Sequence, residues 1–206
     1  MIDVESLPRG ITVCNVYGHE PAIAEYVLMT MLALTHRLLD TVIEFRAGSW
    51  VGHQPAGGAP HGEILGKTLG ILGYGRIGRE VARRAASFGC NIIAANRSPV
   101  AEKGDASEIY PLGDLDHMLP RCDVLLIAAG LGPETRGLID SRRLALMKPT
   151  ALLINIGRAA IVKSIMAHQR PGSGTADRKR RHRGRSARSR CGRQRMAIQR
   201  VGLRDD

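Results

Sequence analysis

Cysteine is scarce in this 206-residue chain, and nothing groups it. Cys14, Cys90, Cys122 and Cys191 form no C-x-x-C pair and show no metal-ligand spacing. That excludes a disulfide framework, leaves no metal site to expect, and points to a reducing cytoplasm. Long apolar runs are also missing. The longest, Ala22 to Leu34, is interrupted by Glu25 and Thr30, too short and too polar to span a bilayer. The first residues carry Asp3 and Glu5 with no basic stretch, so no secretory leader is read there and a soluble protein is expected. Charge of one sign is absent from most of the chain. The formal net charge is +11, yet residues 1–162 hold 16 Lys+Arg against 16 Asp+Glu, and residues 163–206 hold 14 against 3. The whole excess lies in the tail, and the rest shows no bias toward acidic partners. No internal repeat is present.

What is there centres on Lys67 to Gly78. Thr68 to Leu72 is a short apolar run suited to a buried strand, and Gly73, Gly75 and Gly78 follow as G-x-G-x-x-G. Arg76 to Phe88 then places Ile77, Val81, Ala85 and Phe88 on one face of a helix. The motif alone is weak, but strand before and helix after are the context a dinucleotide fingerprint requires. The first glycine permits the tight turn, the second lets backbone approach a pyrophosphate, and the third lets helix and strand pack closely. The helix N-terminus offers unpaired N–H groups and a positive dipole end to the phosphates.

The ribose end refines this. Gly89 suits the helix C-terminus, and Asn91 to Ala95 reads as the second strand. An acid about 20 residues past the fingerprint would accept from the ribose 2′-hydroxyl and mark NAD. The strand ends instead in Asn96-Arg97-Ser98. Asn and Ser can bond a 2′-phosphate and Arg97 can neutralise it, which favours NADP over NAD. Arg97 pointing to solvent is the alternative.

Elsewhere, Ile11 to Cys14 is a strand candidate and Gly18 to Pro21 a turn. Ala22 to Leu39 is a long helix, apolar nearly all round and so buried on several sides, with helical character running to Phe45 or Arg46. Gly48 to Gly66 is loop. Ser107 to Tyr110 is a third strand, Leu112 to Leu119 a short helix, and Asp123 to Ala129 a fourth strand. Ser141 is an N-cap for a helix over Arg142 to Met147, and Ala151 to Ile156 is a fifth strand. The alternation predicts an α/β fold, a Rossmann-type doubly wound parallel sheet flanked by helices.

Four stretches in this order resemble the D-isomer-specific 2-hydroxyacid dehydrogenase family. They are Ala24-Glu25-Tyr26 with its helix, Gly66 to Ile71 into the fingerprint, Pro133-Glu134-Thr135-Arg136-Gly137-Leu138-Ile139, and Met147-Lys148-Pro149 through Arg158. The resemblance covers about residues 10–162. It implies a cofactor domain at 21–162, a remnant of a substrate domain at 1–20, and a homodimer made through the Ala22–Leu39 helix and the loop around Trp50. It implies cofactor contacts at Gly73, Tyr74, Gly75, Arg76, Ile77, Gly78, Asn96, Arg97, Ser98, Ala129, Gly130, Thr135, Ile156, Gly157 and Arg158. Gly130 and Gly132 stand where the family often has Pro and Thr, a departure expected to loosen that contact. Arg158 maps onto the catalytic arginine, a guanidinium able to bind the carboxylate of a small 2-oxo or 2-hydroxy acid and polarise its 2-oxo group.

The family also needs a His to move the hydroxyl proton and a Glu to orient it. Both belong to later segments with no counterpart here. Pro60-His61-Gly62 resembles one of them but precedes the fingerprint, and His19, His36, His53 and His117 read as surface or turn residues. After Val162 the chain turns into an Arg-, Gly- and Ser-rich stretch without apolar periodicity, expected to be disordered. A shifted reading frame explains that composition. A nucleic-acid arm is the alternative, with no aromatics among its charges to favour it.

Overall fold

The computed structural model describes residues 17–49 and 61–163, and the backbone of 197–200. The strand expected at Ile11–Cys14, the loop around Trp50 and His53, and most of the basic tail lie outside the described residues.

Two helices lead, α1 (Glu20–Thr35) and α2 (Leu38–Arg46). The chain then alternates through β1 (Thr68–Leu72), α3 (Arg76–Ser87), β2 (Asn91–Asn96), β3 (Glu108–Pro111), the single-turn α4 (Leu115–Met118), β4 (Val124–Ile127), α5 (Ser141–Ala145) and β5 (Leu152–Asn155). The sheet order is β3-β2-β1-β4-β5 with parallel pairing throughout, in register Thr68↔Asn91, Leu69↔Val124 and Val124↔Leu152. The expected doubly wound parallel sheet is therefore present.

Its strands read as continuous apolar runs because both faces are covered. Leu69, Ile71, Val124, Leu126 and Ile154 pack with α1 and α3. Leu72, Leu125, Ile127 and Leu153 alternate onto the other face, against Leu115, Met118 and Leu144. At the amino ends of the strands, the Asp123 carboxylate accepts from the Thr68 amide at 2.8 Å and from Lys148 Nζ at 2.9 Å. Burial alone would raise its pKa, but those two donors outweigh it and hold it below the ordinary value.

Three expectations are corrected. The leading helix is not one rod: it breaks at His36 and Arg37, where Arg37 takes φ 53°. The Thr35 carbonyl accepts from the Gly62 amide at 3.0 Å, the returning chain taking an acceptor that a continuous helix would use itself. Nor is this region buried on several sides. Ala24, Val27, Leu28 and Met31 are buried on α3's side, whereas Met29, Leu39, Ile43 and Phe45 are more than half exposed. Finally, the tail is not wholly without structure. A sixth strand, β6 (Ala197–Arg200), runs antiparallel along β5 in register Leu152↔Arg200. An unpaired strand edge is a ready template, and four residues without proline can occupy it.

Lesser differences are local. The α5 cap is Asp140, whose carboxylate accepts from the Arg143 amide at 2.9 Å, and not Ser141. Among the described residues no single helix is long and apolar enough to cross a membrane, although α1 and α2 together pass by length and composition while bent by 61°.

Candidate functional site

The strand order reverses at β1, between β2 on one side and β4 on the other. Loops leaving the carboxyl ends of β1 and β4 depart in opposite directions there and open a crevice. Gly73 turns the chain out of β1 at φ +99°, its amide donating to Ala95 O at 2.8 Å. A Cβ on Gly73 would stand 2.6 Å from the Ala129 amide nitrogen, and one on Gly78 would stand 2.5 Å from Gly73 O. Both glycines are therefore demanded by the fold's own packing.

Gly75 is different. It is the N-cap of α3 at φ −87° and ψ −158°, an extended conformation open to any residue. A Cβ there would meet nothing within 4 Å. The fold gives no reason for glycine at this position, and the space beside its backbone is open. No side chain caps α3, and its first turn holds no acid, so its positive end is not neutralised from within.

Tyr74 does not face the crevice. Its ring is buried and its hydroxyl donates to Lys103 O at 2.8 Å, while burial raises its pKa. Asn96 Oδ1 accepts from the Tyr74 amide at 3.3 Å, and Asn96 Nδ2 donates to Ser98 O at 2.9 Å. The residue at the ribose-acid position thus braces the glycine turn with its own side chain. Arg76 is drawn to the leading segment, its guanidinium 4.1 Å from the Tyr17 ring centroid and 3.8 Å from Glu20 Oε1. Arg97 crosses the mouth of the crevice to Glu134, Nε to Oε2 at 3.8 Å.

The far wall is a folded loop. The buried Thr135 hydroxyl donates to Gly130 O at 2.8 Å and accepts from the Gly132 amide at 2.8 Å. Its polar atom shapes the loop and is not aimed at a ligand. Gly157 lies so close that a Cβ would stand 2.7 Å from Ala129 O. Its amide donates to Ile127 O at 3.1 Å and to Asn155 Oδ1 at 2.9 Å, while the Ile156 amide donates to Ile127 O at 3.0 Å. The Asn155 side chain also donates to Arg158 O at 3.3 Å, which sets the direction in which Arg158 leaves the sheet. An Ile139–Val162 bridge ties the Thr135 loop to the segment after Arg158.

Two cavities result, and both are lined by Gly130, Leu131 and Gly132. The first, about 290 Å³, runs from Gly73 and Gly75 to Asn96, Arg97, Ala129, Glu134 and Thr135. The second, about 760 Å³, is bounded by Pro133, Arg136 and Arg158. Of the expected residues, Gly73, Gly75, Asn96, Arg97, Ala129, Gly130, Thr135 and Arg158 line these cavities, whereas Tyr74, Arg76, Ile77, Gly78, Ser98, Ile156 and Gly157 line neither. Sequence reasoning missed Glu134 and Arg136 as lining residues, although both lie in the P-E-T-R-G stretch that carried the resemblance. Arg158 is exposed, and its guanidinium has no partner among the described residues. Among the described residues no histidine lines its cavity. His61 stands beside His36, ring centroids 5.3 Å apart, at the end of α1. Among the described residues no group of His, Cys, Asp or Glu could hold a metal ion.

The chain is 39% identical over 181 residues to glyoxylate reductase of Thermococcus kodakarensis, covering 83% of this chain and 53% of that protein. It is 38% identical over 169 residues to glyoxylate reductase of Thermococcus gammatolerans, covering 78% and 49%. A crystal structure of a glycerate dehydrogenase related protein from Thermoplasma acidophilum matches with a TM-score of 0.65 at 33% identity, over 79% of this chain and 55% of that one. The chain spans about half the length of these relatives. Residues 28–166 match the model of the D-isomer specific 2-hydroxyacid dehydrogenase NAD binding domain. That match takes in β1 to β5, the glycine turn and Arg158, and the chain belongs to the D-isomer specific 2-hydroxyacid dehydrogenase family.

Proposed function

We propose that this chain is the nucleotide-holding part of an NAD(P)-dependent 2-hydroxyacid dehydrogenase, that it takes NADP in preference to NAD, and that by itself it holds its ligands without turning them over. The observation that carries the reading is Gly75, a glycine whose missing side chain serves no contact of the fold and opens space beside the uncapped end of α3. A pyrophosphate needs such a seat: bare backbone, unpaired N–H groups and a positive dipole end. The donor set fits. Gly73, Gly75, Arg76, Ile77 and Gly78 would hold the phosphates, Asn96, Arg97 and Ser98 the ribose end, and Ala129, Gly130, Thr135, Ile156 and Gly157 the wall beyond.

When bound, the nicotinamide supplies the hydride. Arg158 binds the carboxylate of a small 2-oxo acid, glyoxylate or hydroxypyruvate, and polarises its 2-oxo group, with Arg136 adding positive charge at the same cavity. None of the described residues lining that cavity can deliver the hydroxyl proton. Missing general acid–base help costs about 10²–10⁴ in rate. Residues 21–162 form the cofactor domain in this reading, with 1–20 and 163–206 outside it. Exposed Met29, Leu39, Ile43 and Phe45 make the homodimer face. Buried free thiols at Cys90 and Cys122 suit the reducing cytoplasm.

The test is a nicotinamide-fluorescence titration of the chain with NADPH and NADH, followed by glyoxylate-dependent NADPH oxidation. Binding without turnover is expected. Absence of binding refutes the nucleotide reading, and turnover at an ordinary enzyme rate refutes the claim that the chain alone is inert.

A further inference from the structure

We propose that Glu134 sets the cofactor preference of the crevice by competing with the ribose 2′-phosphate for Arg97. This inference rests on the reading that the crevice takes a dinucleotide.

Arg97 leaves the end of β2 on one wall, and Glu134 belongs to the loop after β4 on the other. They meet across the mouth at 3.8 Å. Among the described residues they are the only charged side chains lining the cavity that contains Gly73, Gly75 and Asn96. The ribose end of a nucleotide seated there faces one cation and one anion, and the two cancel. Asn96 is uncharged, and both ends of its amide are committed to the Tyr74 amide and Ser98 O.

The pair is built to be broken. Its separation exceeds hydrogen-bond length, so it is a charge contact only. Arg97 and Glu134 side chains are 67% and 62% exposed, a setting in which an ion pair contributes little. A 2′-phosphate brings about two negative charges and matches the guanidinium fork with two parallel bonds. It therefore wins Arg97 from the carboxylate. It must then sit beside Glu134, whose charge repels it. NADH carries no such phosphate and is indifferent to both effects. Glu134 thus lowers the advantage of NADP over NAD without touching the part of the ligand that the two cofactors share.

The experiment compares the full chain with Glu134→Gln, Arg97→Ala and the double variant, titrating NADPH and NADH, with 2′,5′-ADP and 5′-AMP as competitors that isolate the ribose end. Glu134→Gln keeps the shape of an exposed side chain and leaves folding intact. It is expected to tighten NADPH and 2′,5′-ADP about three- to tenfold, with NADH and 5′-AMP unchanged within about twofold. The gain should shrink in 1 M salt, where the Debye length is about 3 Å. It should also fall to less than about half when Arg97 is already Ala, because the competition has then been removed. A Glu134→Gln variant with an unchanged NADPH-to-NADH ratio overturns the inference and leaves the nucleotide reading standing. So does one that loses NADH affinity, which would make Glu134 an acceptor for the ribose hydroxyls. A wild-type chain that binds none of the four nucleotides overturns the nucleotide reading and this inference with it.

Discussion

Replacing Gly75 with Ala separates a glycine kept for a ligand from one kept for the fold. Two terms act on stability, and they oppose one another. Ala lowers the freedom of the unfolded chain, a gain of about 0.4–1 kcal/mol where the native backbone accepts it. The extended φ and ψ of Gly75 do accept it, and the new methyl meets no atom within 4 Å. Against this, Ala is a poorer N-cap than Gly, by roughly 0.5–1 kcal/mol. The net change stays within about 1 kcal/mol, a melting shift of at most about 4 °C for a chain of this size. Binding responds differently. A methyl beside the helix end displaces the pyrophosphate from one or more amide donors. Each such bond to a charged group is worth about 1.5–3 kcal/mol, so NADPH affinity falls about 10- to 100-fold. Gly73→Ala is the contrast. It places a Cβ at φ +99° and 2.6 Å from Ala129 N, costing about 2–6 kcal/mol and roughly 4–24 °C. The assays are thermal melts and nicotinamide-fluorescence titrations on both variants. A Gly75→Ala protein that melts normally and binds NADPH as tightly as wild type refutes the argument, because the open space would then not be the phosphate seat.

Other outcomes follow from the helices and the charges. The wild-type chain should sediment at about twice its 22.3 kDa mass, and Ile43→Glu, which charges a side chain 67% exposed on α2, should give a monomer with an unchanged far-ultraviolet spectrum; a monomeric wild type removes the dimer from the proposal. Asp116 accepts from Arg142 Nη1 at 2.7 Å and Arg143 Nε at 2.8 Å, and those bonds lower its pKa from 3.8 to about 2. Its stabilisation is fully present above pH 3.8 and is lost as pH falls through about 2. Asp116→Asn should therefore be less stable at neutral pH and lose less on acidification between those values; urea unfolding curves from pH 5 to 2 that remain parallel for the two proteins would show the pair contributes nothing.

The framework was legible because it is written in local patterns. Thr68–Leu72 is β1 residue for residue, and Gly73, Gly75 and Gly78 sit between strand and helix as their spacing requires. What escaped the sequence depended on partners far along the chain. The break at Arg37 follows from Gly62 reaching the Thr35 carbonyl, which no property of residues 35–38 encodes. Tyr74, Asn96 and Thr135 are expected at the crevice, yet their side chains bond backbone and not open space. Side-chain direction is decided by which acceptor the folded chain brings near. Glu134 was invisible for the same reason: only the sheet order sets its loop opposite Arg97. β6 escaped because its few residues sit in a composition that otherwise signals no structure.

Those committed hydrogen bonds also explain how the crevice can hold a ligand in a fixed pose. Asn96, Thr135 and Asn155 each use their polar atoms on the turn or loop that carries them. None has to be stripped of water or reoriented when a ligand arrives, so the walls are set in advance and less ordering free energy is lost on binding. The groups left to meet a ligand are the cations Arg97, Arg136 and Arg158, with Glu134 opposing Arg97, together with the bare backbone at Gly75 and α3. Such a set favours anions at both ends of an extended molecule, phosphates at one and a carboxylate at the other. It stabilises negative charge but moves no proton, because a guanidinium offers only donors and no acceptor. Holding and reacting are thus separable in the proposed reading. Arg158→Ala should weaken oxalate, a non-reducible dicarboxylate, about tenfold or more without altering NADPH affinity, and a loss of both together would mean that Arg158 supports the crevice and does not bind substrate.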